Sequence, residues 1–305
     1  MRSFFAACLL SSVLPWSVLC QTTPGVENEI AQQSAEPEEK TPGATLPTKQ
    51  GPPTIKNKDI VETKTAAPFK RMPHYVLQDQ GSIWTSPFHT KRNEIKWWAI
   101  FGGATAALIA TDKYTVKEFP NTTDQVAVGT WSSRIGAAYS LIPISAGFYL
   151  LGTKTHDQKF RETGILCFET LIDTTIVETI VKSATDRARP LESDGKGHFW
   201  DSSGGPYNAS FPSGHAINTW ALASVIAHEY SNHKIVPVLA YGFASIVVVA
   251  RLAARKHFPG DVVAGGVTGW FIGDYVYGRR HNPNLDEKAS AVQKVLAHVR
   301  IGLSF

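Results

Sequence analysis

The sequence predicts an all-α protein: a bundle of about six core helices with its chemistry gathered at one end. Three observations carry this. Apolar segments of helical length run over about 96–111, 131–152, 162–183, 215–230, 235–254 and 260–277. Period-2 alternation bounded by Asn-Gly turns is missing, as is any βαβ rhythm. The residues able to do chemistry fall at the ends of these segments, not along their middles.

Four parts are expected in order: a signal peptide over 1–20, a disordered linker over 21–75, a folded domain over 76–280 and a tail over 281–305. Arg2 followed by "SFFAACLLSSVLPWSVLC" has the charge and apolar length of an export signal. A retained anchor is the alternative. A lipoprotein reading of Cys20 is opposed by bulky Leu19 before it. "SAEPEEKTPGATLPTKQGPPTIKNK" is rich in Pro, Thr, Lys and Glu and poor in large apolar residues, so it cannot bury a core. Order is expected to return with the aromatics of "YVLQDQGSIWTSPFH". After removal of the signal only Cys167 remains, which excludes an internal disulfide. The net charge of +4, spread in small groups, does not suggest a nucleic-acid partner. No cysteine–histidine cluster with metal spacing is present.

Whether the helices cross a bilayer is open at this level. Between Arg134 and Lys154 lie 19 uncharged positions, enough for one span, and between Lys234 and Arg251 only 16. A soluble exported bundle and a short-helix membrane bundle fit equally. Localisation is expected in the cell envelope, periplasmic or membrane-associated.

Three stations converge on one end. In "FPSGHA", Ser213 and Gly214 precede His215 where a helix begins; Ser213 is either a plain N-cap or part of a site aimed at an anion, and these residues alone do not decide. From Ala216 the chain runs about 15 residues, turns at "SNHK" and runs about 16 back, legs of roughly 22–24 Å that return Arg251 beside His215. "RLAARKHFPGDVVAGG" then places His257 and Asp261 four apart, with Pro259 and Gly260 opening a new helix. The third station, "VKSATDRARP", ends the segment 162–183 with Lys182 and Arg189, and Pro190 stops the helix. Three cations, backbone N–H groups and two histidines suit a tetrahedral oxyanion.

"KSATDRARP", "PSGH" and "RLAARKHFPGD" together resemble the three-part signature of the type 2 phosphatidic acid phosphatase (PAP2) superfamily. That superfamily includes bacterial class A acid phosphatases, lipid phosphatases and vanadium haloperoxidases. The resemblance covers about residues 95–277 and departs at one fixed position, where Ala250 stands in place of Ser before Arg251. It implies a phosphoric ester hydrolase in which His257 attacks phosphorus, Asp261 holds its other ring nitrogen, and His215 is general acid and then base. Lys182, Arg189, Arg251, Ser213 and Gly214 would bind the phosphoryl oxygens. It implies no metal and no cofactor. The substrate would be a phosphorylated lipid, such as phosphatidic acid, an isoprenoid diphosphate or a lipid A phosphate. A soluble phosphate ester is the alternative, and a vanadate-dependent haloperoxidase a second one. Oligomeric state is not readable.

Among other residues, Glu178 stands four before Lys182 and is expected in an ordinary exposed pair, or else orienting that lysine. Glu169 and Asp173 are expected on a solvated face, and His228 and His233 at the surface of the far turn. In "LESDGKGHFWDSSGGPYNASF", Phe199, Trp200, Tyr207 and Phe211 are available to contact a leaving group. "NTT" at Asn121 and "NAS" at Asn208 match glycosylation sequons, and "LDEKASAVQKVLAHV" reads as an amphipathic helix.

Overall fold

The computed structural model describes residues 68–285, apart from 90, 92, 93 and 193. The signal, most of the linker, the helix expected after Asn282 and nearly all of the tail lie outside the described residues. Eight α-helices and no strand occur among the described residues: α1 Pro68–Thr85, α2 Ile95–Glu118, α3 Thr123–Ser133, α4 Ala138–Lys154, α5 Gln158–Thr185, α6 Gly214–Glu229, α7 Ile235–Ala253 and α8 Pro259–Arg280.

The long helices alternate in direction. The C-terminal ends of α5 and α7 and the N-terminal ends of α6 and α8 therefore share one end of the bundle. Helix α5 starts where the Asp157 carboxylate accepts the Lys159 and Phe160 N–H groups at 2.9 and 3.1 Å, and it stops at Asp186, which takes a left-handed conformation. The core between α4, α5, α6 and α8 is built from Leu141, Leu166, Cys167, Leu171, Ile217, Leu222, Val225, Ile272 and Val276.

Helices α6 and α8 approach closely because α8 presents Gly265, Gly269 and Gly273 at four-residue spacing. A Cβ at Gly269 would stand 2.0 Å from the Ile217 carbonyl oxygen, and one at Gly273 2.3 Å from that of Ala221. Small residues at this spacing allow helix backbones to touch, the packing found where burial from water is not the drive.

Three features differ from the sequence reading. The segment expected as one helix over 131–152 is two, broken by a 3₁₀ turn over Arg134–Gly136. Gly136 is pressed against Val247, which a Cβ would approach to 2.4 Å, so the bend is set by α7. Residues 68–75, expected in the linker, are helical: Met72 and Val76 are buried and Phe69 packs edge-on to Tyr149 at 5.1 Å. Glu169 and Asp173 are buried, not solvated: α1 lies over them, with Gln80 donating to Asp173 at 2.9 Å and Arg280 to Glu169 at 2.9 Å.

Much apolar surface stays exposed. Ile142, Ile144, Leu150 and Leu151 on α4 and Ile235, Val238, Leu239, Ile246 and Val249 on α7 face outward, as do Ile100 on α2 and Trp131 on α3. Two stretches, 123–154 and Ile235–Ala253, are long and apolar enough to cross a membrane, and 28% and 22% of their apolar windows are buried within the protein.

Candidate active site

At the shared end lies a cavity of about 200 Å³ lined by Lys182, Arg189, Arg251, His215, His257, Gly214, Glu178 and Asn218, with Gly136 and Ala138 at its edge. Six of the eight site residues expected from the sequence therefore line one cavity. Ser213 and Asp261 stand behind its wall.

His257 precedes α8 and is 3% exposed. Its Nδ1 meets the Ser210 carbonyl oxygen at 2.7 Å, while Asp261 Oδ2 is 3.9 Å away. The partner expected for this nitrogen was Asp261. The carboxylate is instead committed elsewhere: one oxygen pairs with Arg187, the other accepts the Ser210 hydroxyl and the Phe258 N–H. Asp261 acts on His257 through Ser210, whose side chain it holds. The Ser210 carbonyl accepts the Nδ1–H and leaves Nε2 as the basic atom facing the cavity, 3.4 Å from an Arg251 Nη.

Ser213 is the N-cap of α6, its hydroxyl accepting the Ala216 N–H at 3.5 Å and its own N–H donating to the Asp261 carbonyl at 3.1 Å. It sets the start of α6 rather than facing an anion. That start places Gly214 and His215 on the cavity. Gly214 is needed for a reason beyond approach to an anion: a Cβ there would stand 1.9 Å from Glu178 Oε1. Glu178 is no exposed pair. It holds Lys182 at 2.9 Å, receives Asn218 Nδ2 at 3.4 Å, and so fixes the lysine from inside the wall.

Arg189 is anchored through Nε to the Asn208 carbonyl at 2.7 Å, and Arg251 donates to the Ser133 hydroxyl at 3.2 Å. Ser133 supplies a hydroxyl to Arg251 in a chain that has Ala250 where a serine is usual. Burial first, then the charges of Arg251, Lys182 and Arg189, push the His215 pKa down to about 3 and hold His257 well below the ordinary imidazole value. Both rings therefore favour the neutral form at pH 7.

The sequence reading missed Arg187, Asp112 and Lys256. Arg187 is 1% exposed, pairs with Asp112 at 3.0 Å and with Asp261, and stacks over Phe258 at 4.5 Å and Phe199 at 5.2 Å. Asp112 also accepts the Gly260 N–H at 3.0 Å, tying α2 to the start of α8. Only its place inside "KSATDRARP" could have flagged Arg187, and Asp112 lies some 70 residues earlier with no local mark. Lys256 feels Arg189 and Arg251 and adds a further positive charge near the cavity. The four aromatics of the 191–211 loop do not line the cavity: Phe199 packs on Arg187 and on Phe211, while Trp200 and Tyr207 point to solvent. His233 is exposed as expected, but His228 is half-buried, stacked on Tyr277 and 3.3 Å from Asp274.

The PAP2 superfamily model matches residues 163–284, the stretch that contains all three stations. Among solved structures, the chain is similar to the first transmembrane PAP2 type phosphatidylglycerolphosphate phosphatase from Bacillus subtilis, at 21% identity and a TM-score of 0.44, covering 72% of this chain and 97% of that one. No curated protein matches the sequence.

Proposed function

We propose that this PAP2 protein is a phosphatase that hydrolyses a lipid phosphate at a membrane surface through a phospho-histidine on His257, without a metal. The observation that carries the reading is the single cavity in which Lys182, Arg189 and Arg251 surround two neutral imidazoles. A phosphate dianion entering it meets three cations and the N-terminal amides of α6, which stabilise charge as it spreads over the equatorial oxygens.

His257 Nε2 carries the lone pair, and the Ser210 carbonyl keeps the proton on Nδ1. Attack forms the Nε2–P bond as the P–O bond to the lipid alcohol breaks. His215 gives its proton to the departing oxygen, then takes one from water as that water displaces Nε2. His215 must be protonated for the first step. The bound dianion favours this, because it offsets the cations that add to burial in holding the His215 pKa down.

The lipid assignment rests on the outward apolar rows of α4 and α7, with Ile135 and Tyr139 exposed next to the cavity-lining Gly136 and Ala138. Contiguous apolar surface of this extent suits hydrocarbon rather than water. Phosphate release is to be measured in excess chelator on a micellar lipid phosphate and on a small aryl phosphate, with His257→Ala alongside. Release from the lipid that disappears in the variant, with an acid-labile phospho-enzyme trapped only in the wild type, is expected. A variant as fast as wild type refutes the mechanism, and a faster aryl substrate refutes the lipid assignment.

A further inference from the structure

Two groups of buried acidic side chains lie away from the phosphate cavity, and they differ in what fills them. In the first, Asp79, Glu169 and Asp173 surround a cation that the chain itself supplies. Arg280 reaches both Asp79 oxygens at 2.8 and 2.9 Å and Glu169 at 2.9 Å.

The second group is Glu162 near the start of α5, Glu229 at the last residue of α6 and His281 just past α8. It sits at the bundle end opposite the cavity. His281 Nδ1 lies 3.1 Å from Glu229 Oε1 and 3.3 Å from Glu162 Oε1, and the three donor atoms are within 4.8 Å of one another. Glu229 is 1% exposed, and its second oxygen is buried without a hydrogen-bond partner. A charged imidazole would answer one of the two carboxylates and still leave that oxygen bare, a costly arrangement for a buried acceptor.

We propose that Glu162, Glu229 and His281 form a zinc site that clasps the ends of α5, α6 and α8. A tetrahedral zinc with ligands at about 2.0–2.2 Å sets its donor atoms roughly 3.3–3.6 Å apart, near the 3.1 and 3.3 Å spacings from His281 Nδ1. The ion cancels both carboxylate charges, and Glu229 binding it through both oxygens gives the bare Oε2 a partner beside Oε1. One imidazole nitrogen among the donors favours zinc over magnesium or calcium, which take oxygen ligands. The Asn282 N–H, 2.6 Å from Glu162 Oε1, orients that carboxylate as an outer support. With Glu162 and His281 side chains 18% and 10% exposed, an ion can enter from solvent, and water can take the fourth position. This inference does not depend on the proposed phosphatase chemistry.

The test is zinc content and melting temperature of the untagged full chain in detergent, after loading with zinc and dialysis against metal-free buffer. Wild type and His257→Ala are expected to retain about one zinc per chain and melt about 5 °C higher when loaded. Glu229→Gln and His281→Ala are expected to lose both effects while still releasing phosphate. Should either variant fail to fold, wild-type protein loaded with Co²⁺ keeps the question open to measurement, through the visible band of tetrahedral cobalt. Wild type without retained zinc, zinc kept by both variants, or zinc lost in His257→Ala would each overturn the proposal, as would a cobalt spectrum without that band.

Discussion

His215 carries its own pH signature, because the folded chain resists protonating it. Its pKa is about 3 in the folded protein against 6.5 as a free side chain, so the unfolded chain binds more protons between those values. Stability is therefore present above about pH 6.5 and lost as pH falls toward 3. Melting temperatures followed from pH 7 to pH 4 should drop more steeply in wild type than in His215→Gln. Vanadate, a phosphate mimic, should shrink that difference by neutralising the surrounding cations. His257→Ala should lower phosphate release at least about a thousandfold, since the nucleophile is lost and His215 is engaged as acid and base in the proposed scheme. Arg187 lies one layer further out. Arg187→Met would leave Asp112 and Asp261 facing each other uncompensated, at a cost of roughly 3–5 kcal/mol of stability. Chemical denaturation of that variant, with and without Asp112→Asn, measures how much the second change recovers.

Helix ends and helix contacts set where these side chains stand. Gly214→Ala should abolish activity by driving a methyl group into Glu178 and so displacing Lys182. Activity partly regained in the double variant with Glu178→Asp, whose shorter side chain keeps a carboxylate for Lys182, would confirm the contact as the cause, and a double variant no better than the single one would reject it. Gly269→Ala tests the seam between α6 and α8: the methyl meets a backbone oxygen at 2.0 Å, which cannot move aside as a side-chain tip can. A loss of about 1–3 kcal/mol is expected from such overpacking, read from the thermal midpoint. Gly214 sits in "PSGH", a stretch the sequence marks, whereas Gly269 carries no such mark. Their partners, Glu178 and Ile217, are fixed only by how the helices cross.

For the molecule as a whole, the outward apolar rows on α4 and α7 and the two stretches able to cross a bilayer make one expectation. The protein should float with lipid vesicles and resist extraction by alkaline carbonate, and it should aggregate once detergent is removed. Recovery in the carbonate supernatant would instead place it beside the membrane and not in it. The same surface explains why the sequence left the choice open. Hydropathy along 134–154 and 234–251 is high enough for a span or for a buried core, and only the packing tells which side chains face out.

The sequence by itself determined the helical class, the three stations and the cluster of Lys182, Arg189, Arg251, His215 and His257 at one end. Helix length and antiparallel return are local, periodic properties, so spacing carries them. Tertiary structure alone decided what lies behind that cluster. It gave the His257 nitrogen to the Ser210 carbonyl, gave Asp261 to Arg187, which Asp112 shares, and turned Glu178 inward onto Lys182. It also buried Glu169 and Asp173 under α1 and brought Glu162, Glu229 and His281 together from three helix ends. Apart from Glu178 and Lys182, one helical turn apart, each of these joins residues far apart along the chain. A hydrogen bond or ion pair across such a separation leaves no periodic trace in the sequence, and it exists only once the helices have packed.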